Sequence, residues 1–172
     1  FKEKNIDAVM VPIHVKKENL ENVITSLKNI KNFEGMTVTI PHKKTIAKIC
    51  DHLEQDAAFT QSVNWIKFDK DRKLIGNNFD GQGFVAGFLS QKFLIKNKKV
   101  CIFGAGGAAV SIACSLAKQK IKSLQIINRN FDKANELIEK IKVIDKNLFV
   151  QATEYKDDKL LNDYDILINA TS

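Results

Sequence analysis

The sequence predicts an α/β protein made of two layered domains. Two observations carry that expectation. Short apolar runs alternate with amphipathic helical stretches on both sides of a turn-rich middle, as α/β layers require. In the second half, a glycine-rich turn, Gly104-Ala105-Gly106-Gly107-Ala108-Ala109, joins an apolar run to a helical pattern. The expected division is 1–80 for the first domain, 81–98 for a connecting helix and linker, and 99–172 for the second. The chain opens on Phe1 rather than Met and stops at Ser172, where a strand would pass into a loop, so both domains are expected to be incomplete.

Taken in order, Asp7–Ile13 is a strand candidate. An amphipathic helix follows over Lys17–Ile30, with Leu20, Val23, Ile24 and Leu27 at i, i+3, i+4, i+7. Met36–Ile40 is a second strand. Pro41 then starts a helix, where its missing N–H costs nothing, with Ile46, Ile49, Cys50 and Leu53 on one face. Ser62–Phe68 and Lys73–Asn77 flank the polar loop Asp69–Arg72 and read as a hairpin. A dense turn cluster, Asn77–Phe84, leads into a helix over Gln82–Lys92. Beyond the glycine turn come a helix, a strand at Ser123–Asn128, a helix at Phe131–Lys142, and strands at Leu148–Ala152 and Asp163–Ala170.

Composition narrows the function classes. Apolar residues make up 44% of the chain, enough for a globular core. No apolar run approaches the roughly 20 residues that cross a bilayer, so no membrane partner is expected. The net charge is +7, yet the lysines are scattered and not interleaved with aromatics, so a solvated surface is favoured over nucleic-acid binding. Cys50, Cys101 and Cys114 are odd in number and follow no ligand spacing. They read as buried thiols in a reducing compartment, hence a cytoplasmic protein with no metal site.

The glycine turn has the order strand, G-x-G-x-x-A, helix. Gly104 makes a tight turn, Gly106 admits a pyrophosphate to the backbone, and Ala109 lets helix and strand pack closely. The competing reading is a strand-to-helix turn that binds nothing. At the tip of the next strand an NAD site places an acid to hold the ribose 2′-hydroxyl. Here the tip is Asn128-Arg129-Asn130, with Lys133 one turn on. Arg129 and Lys133 suit a 2′-phosphate, which favours NADP while leaving NAD open; otherwise they are surface cations. Lys43 sits in a first helical turn, where a cation is electrostatically misplaced, which suits a general acid or base; an exposed surface lysine is the bland alternative. Asp80, before Gly81, is either a helix cap or a functional carboxylate. Asn64 sits in a half-apolar strand and is either a structural bracket or a ligand contact.

These segments together resemble the shikimate dehydrogenase family. Thr37–Lys43 is similar to its N-V-T-x-P-x-K segment, Ser62-Val63-Asn64 to G-A-V-N, and Asn78–Phe84 to N-T-D-G-x-G-F. Gly104–Ala109 is similar to G-A-G-G-A, Asn128-Arg129 to N-R-T, and Asn169-Ala170-Thr171-Ser172 to N-A-T-S/P. The resemblance implies an N-terminal α/β substrate-binding domain plus a C-terminal Rossmann-type NAD(P)-binding domain. It implies NADP-dependent reduction of 3-dehydroshikimate to shikimate, a step of aromatic amino acid biosynthesis, by a monomer or homodimer. Lys43 and Asp80 would be the catalytic pair, Thr37, Thr39, Asn64 and Asp80 would bind substrate, and Thr171 would lie near the nicotinamide. Gly104, Ala105, Gly106, Gly107, Ala108, Ala109, Asn128, Arg129, Asn130 and Lys133 would bind the cofactor.

The chain also departs from the pattern. Thr37 replaces an Asn, Trp65 and Phe79 replace threonines, and Gln61-Ser62 replaces Gly-Ala. A site built to hydrogen-bond a polyol discriminates strongly, so these changes point toward quinate or another hydroxylated ring acid as an alternative substrate, with NAD or NADP. From a different class, a non-catalytic nucleotide-binding regulatory module would share the glycine turn but would not need both Lys43 and Asp80.

Overall fold

A computed structural model describes residues 1–154 and 158–171. The chain divides into two compact units, Phe1–Glu34 and Gly35–Ser172.

In the first unit, a 3-10 turn at Lys17–Asn19 runs into helix α1, Leu20–Lys28, which buries Leu20 and Ile24. The expected strand at Asp7–Ile13 does not form: Val9, Met10, Val11 and Ile13 are exposed. A strand exists only where a neighbour satisfies its N–H and C=O groups, and among the described residues none pairs with this run.

The second unit contains two sheets. The first is mixed, ordered β1-β3-β4-β2, from β1 (Gly35–Thr37), β2 (His52–Leu53), β3 (Trp65–Phe68) and β4 (Leu74–Asn77). The predicted hairpin is β3–β4, antiparallel with Trp65 opposite Asn77. β1 is antiparallel to β3, and only β2 runs parallel to β4, so the parallel layering expected for this half is corrected. Alternation along β3 and β4 turns Ile66, Phe68 and Leu74 into the core with Val38, Ile46 and Val63. The helix expected from Pro41 starts later, as α2 (Lys43–Ile49). The Ile40–Pro41 bond is cis, and His42 N–H bonds back to the Thr39 carbonyl at 2.9 Å in a turn that precedes α2. Leu53 is on β2 rather than on the helix, because Cys50 turns extended. A short helix that the periodicity did not reveal, α3 (Gln55–Thr60), buries Ala57.

The second sheet is parallel throughout, ordered β7-β6-β5-β8. Its strands are β5 (Lys99–Phe103), β6 (Ser123–Ile127), β7 (Phe149–Thr153) and β8 (Ile166–Asn169). Helices α5 (Gly107–Ala117) and α6 (Phe131–Ile144) connect the first three strands. Val100, Ile102, Ala113, Leu116, Ile126 and Leu137 are essentially fully buried in one core. The chain steps from β5 to β6 to β7 in one direction and places β8 on the other side of β5. That reversal makes the carboxyl ends of β5 and β8 the topological switch point, the place where open α/β sheets bind ligands.

Helix α4 (Asp80–Ser90) lies along α5 and joins the two sheets. Asp56 of α3 fastens this region: it accepts from Gln82 Nε2 at 2.7 Å and pairs with Lys118 Nζ at 2.6 Å. Burial pushes its carboxyl up, but the Gln82 and Lys118 contacts outweigh burial and hold it below its ordinary value. A carboxyl lowered in the folded state stabilises above its unfolded pKa, and that stabilisation fades as pH falls through the folded one. The thermal midpoint of the full-length protein should therefore drop more steeply on acidification below about pH 4 than that of Asp56→Asn; parallel curves would contradict this.

Among the described residues no helix is long and apolar enough to cross a membrane. Burial pushes the thiols of Cys101 and Cys114 up to about 11, which leaves them inert at neutral pH.

Candidate active site

The site is built around the short segment 62–64, which touches four element ends. Asn64 N–H bonds to the Asn77 carbonyl at the end of β4, at 3.0 Å. The Asn64 carbonyl accepts from Val38 N–H just past β1, at 2.8 Å. Val63 N–H bonds to the carbonyl of Lys43, the first residue of α2, at 3.0 Å. The Asn64 side chain reaches the start of α4. Its Oδ1 accepts from Phe79 N–H at 2.9 Å, and its Nδ2 donates to Asp80 Oδ1 at 2.7 Å. The polar residue in this half-apolar run thus has both ends of its amide engaged.

The other carboxylate oxygen of Asp80 meets Lys43 Nζ at 2.7 Å. The two side chains are 25% and 29% exposed, so the pair is ordered by its surroundings yet open to a small molecule. One ammonium proton is directed at Asp80, leaving two donors for a ligand oxygen. Helix capping does not explain Asp80. The N-cap residue of α4 is Phe79, with no side-chain cap bond, and Asp80 is itself the first helical residue; Asn78 Oδ1, one residue before the cap, accepts the Asp80 N–H at 3.0 Å. Its carboxylate is free of backbone duty and faces Lys43 and Asn64.

Thr37 and Thr39 are exposed, and neither hydroxyl is hydrogen-bonded among the described residues. Trp65 and Phe79, the neighbours of Asn64 and Asp80, pack edge to face with ring centroids 5.6 Å apart.

At the glycine turn, Gly104 has φ +104°, and a Cβ there would lie 2.8 Å from the Ala170 carbonyl oxygen. Glycine is required for the conformation and for the approach of β8. Gly106 and Gly107 have nothing within 4 Å of their Cβ positions, and the start of α5 has no side-chain cap. Ala105 and Ala108 flank this open backbone, and Ala109 is fully buried against the core. Uncapped N–H groups at a helix N-terminus beside open space suit a phosphate. Next to the turn, Thr171 N–H and Oγ1 both bond to Asn169 Oδ1, at 3.1 and 2.7 Å; Ser172, the last residue of that motif, lies outside the described residues. At the tip of β6, Asn128 Nδ2 bonds to the Asn130 carbonyl at 2.7 Å, and Asn130 Oδ1 caps α6 on Lys133 N–H at 3.0 Å. Arg129 and Lys133 are exposed, with no ion pair among the described residues. The structure thus brings Lys43, Asn64 and Asp80 together, and sets the turn, β6-tip and Thr171 residues at strand ends of the parallel sheet.

Sequence reasoning missed two residues here. Asn78 is 2% exposed and binds Ser62, Asp80 and Ser111. Gly81 is buried where α4 meets α5. A glycine in a first helical turn is a disfavoured choice, and that was the available signal for a close approach.

Two family models match the chain in order. One, described as the shikimate dehydrogenase substrate binding domain, covers residues 1–66. The other, described as shikimate / quinate 5-dehydrogenase, covers residues 88–172. The chain belongs to the shikimate dehydrogenase family. It is 38% identical over 174 residues to the shikimate dehydrogenase (NADP(+)) of Methanosphaera stadtmanae, covering 99% of this chain and 60% of that enzyme. Among solved structures it is similar to ligand-free 5-ketofructose reductase of Gluconobacter sp. strain CHM43, with a TM-score of 0.86, 31% identity, and 99% and 61% of the two chains covered. It is also similar to the shikimate 5-dehydrogenase of Listeria monocytogenes in complex with shikimate and NAD, with a TM-score of 0.81, 30% identity, and 92% and 56% covered. The chain therefore spans about 60% of the length of these relatives.

Proposed function

We propose that the protein containing this chain is an NADP-dependent oxidoreductase acting on a CH–OH group, which interconverts 3-dehydroshikimate and shikimate in aromatic amino acid biosynthesis. One observation carries the proposal. A carboxylate, Asp80, is held between the Lys43 ammonium and the Asn64 amide at 2.7 Å each, in the same compact unit as an open glycine turn. A non-catalytic nucleotide module has no use for the first.

The cradle fits a dinucleotide. The N–H groups of Gly104–Ala109 would hold the pyrophosphate, Asn128, Arg129, Asn130 and Lys133 would hold the adenosine end with its 2′-phosphate, and Thr171 would lie near the nicotinamide. Bound NADPH supplies the hydride. Lys43 donates a proton to the substrate oxygen as negative charge develops there, and Asp80 orients that ammonium through its Oδ2. Asn64 keeps the Asp80 carboxylate turned toward Lys43. Thr37 and Thr39, exposed and with unengaged hydroxyls, would bind substrate hydroxyls together with Asn64. On this reading the partners are a small hydroxylated acid and NADP, not nucleic acid or membrane, and the protein works in the cytoplasm as a monomer or homodimer. The domain roles follow the same reading: 1–80 for substrate, 81–98 as connector, 99–172 for cofactor.

The name of the Methanosphaera stadtmanae relative specifies NADP(+), which supports that cofactor. Arg129→Ala should raise the KM for NADPH roughly tenfold or more, the size of one lost charge-assisted contact, and leave the KM for NADH nearly unchanged. Equal effects on both cofactors would remove Arg129 from the 2′-phosphate site.

The Trp65–Phe79 pair favours a second reading, in which the preferred substrate is quinate or another hydroxylated ring acid or ketone. Two aromatic faces stand beside Asn64 and Asp80, and the Gluconobacter relative is named for 5-ketofructose. The experiment that decides is a panel of 3-dehydroshikimate, shikimate and quinate, run with NADP(H) and NAD(H) on the full-length protein. The best kcat/KM for the shikimate couple supports the first reading, and a best value elsewhere supports the second. Tight NADPH binding with no turnover of any of them would overturn both.

A further inference from the structure

Asn78 is a polar side chain buried to 2% exposure where no polar group is needed for packing. Its amide is spent in three directions. Nδ2 donates to the Ser62 carbonyl at 3.1 Å. Oδ1 accepts the Asp80 N–H at 3.0 Å and faces Ser111 Oγ on α5 at 3.4 Å. Each contact has a geometric consequence. The Ser62 bond ties the β4–α4 turn to segment 62–64, whose next-but-one residue, Asn64, holds the Asp80 carboxylate. The Asp80 N–H bond fixes the backbone from which that carboxylate projects. The Ser111 contact places the group against the helix that starts at the glycine turn. Gly81 completes the arrangement, because a Cβ there would run into the Ser111 carbonyl, so α4 rests directly on α5.

We propose that Asn78 is a positioning residue that sets the Asp80 carboxylate against Lys43 and couples its placement to helix α5 of the nucleotide-binding sheet. The proposal rests on the dehydrogenase reading above, and in it Asn78 acts through Asp80. An amide is required because the position needs a donor toward Ser62 and an acceptor toward Asp80 at once. Alanine supplies neither. An aspartate supplies the acceptor when ionised and the donor only when protonated.

The test compares wild-type full-length enzyme with Asn78→Ala and Asn78→Asp. Asn78→Ala is expected to lower kcat about 10- to 100-fold, the scale of a small misplacement of a reacting group, with the KM for NADPH unchanged. Asn78→Asp is expected to recover activity relative to wild type as pH falls, because protonation restores the donor to Ser62. That dependence would not arise from a merely structural role. Wild-type kcat in Asn78→Ala, with a pH profile of Asn78→Asp parallel to wild type, would overturn the proposal. Should Asn78→Ala fail to fold, the pH profile of Asn78→Asp decides alone. Hydrogen exchange of the Asp80 amide gives a reading independent of turnover: it should quicken in Asn78→Ala, which lacks the acceptor, while the β5 and β6 amides keep their protection, and unchanged exchange in Asn78→Ala would overturn the proposal. A wild-type protein that turns over nothing would instead sink the dehydrogenase reading, and the exchange result would still decide the positioning.

Discussion

Lys43→Ala should lower kcat by ~10²–10⁴-fold, the range for losing a positioned proton donor, and change the KM for either substrate far less. The reason lies in what the ammonium touches. Among the described residues its one hydrogen-bond partner is the Asp80 carboxylate at 2.7 Å, which leaves its other protons for a ligand. A lysine placed for stability alone would contribute little, since a partly exposed ion pair is worth about 0–1 kcal/mol. The thermal midpoint of Lys43→Ala should therefore stay close to wild type while turnover collapses. Steady-state kinetics and a melt on the same preparation check both halves, and an unchanged kcat would remove Lys43 from the reaction.

Gly81→Ala should cost stability as well as activity. The added Cβ would collide with the Ser111 carbonyl of α5 and crowd Ser115 Oγ, and backbone cannot step aside as a flexible side chain does. Forcing a methyl into a packed contact costs about 1–3 kcal/mol, which for a protein of this size lowers the midpoint by roughly 3–10 °C. Because Asp80 precedes Gly81, pushing α4 off α5 also shifts the carboxylate, so kcat should fall together with stability. Gly83→Ala is the control within the same helix. Nothing lies within 4 Å of its Cβ position, and replacing an exposed helical glycine by alanine should raise stability by about 0.5–1 kcal/mol. Equal effects from the two substitutions would contradict the close α4–α5 contact.

The two halves of the chain were not equally legible. The path from β5 to β8 follows from local signals: apolar runs of strand length, helices with a clear apolar stripe, and a glycine turn whose neighbours show what it joins. Parallel strands connected by helices leave little freedom in how they pair. The first sheet depends on pairing between distant residues. Gly35–Thr37 meets β3 antiparallel, and no pattern within the run announces its direction. The Asp7–Ile13 run has strand composition but no pairing strand among the described residues, and composition alone does not make a strand. The hairpin was legible because the polar loop Asp69–Arg72 separates its arms.

The site divides the same way. Lys43 and Asp80 are 37 residues apart, so their meeting came from the family resemblance and not from spacing. Local reasoning offered Asp80 a helix cap as an alternative role. The structure makes Phe79 the N-cap residue, with no side-chain cap bond, and Asp80 the first helical residue; a shift of one residue at a helix start is finer than chain position resolves. Asn64, which the sequence left as either a structural bracket or a ligand contact, has partners on both ends of its amide.

The account stands on Lys43 and Asp80 acting as one unit, and a double-variant cycle on kcat tests that most directly. Measured with the best substrate of the full-length protein and NADPH, Lys43→Ala, Asp80→Ala and the double variant should show nearly the same loss, because removing either member already disables the pair. Losses that multiply in the double variant would mean that the two side chains act independently and would contradict the account.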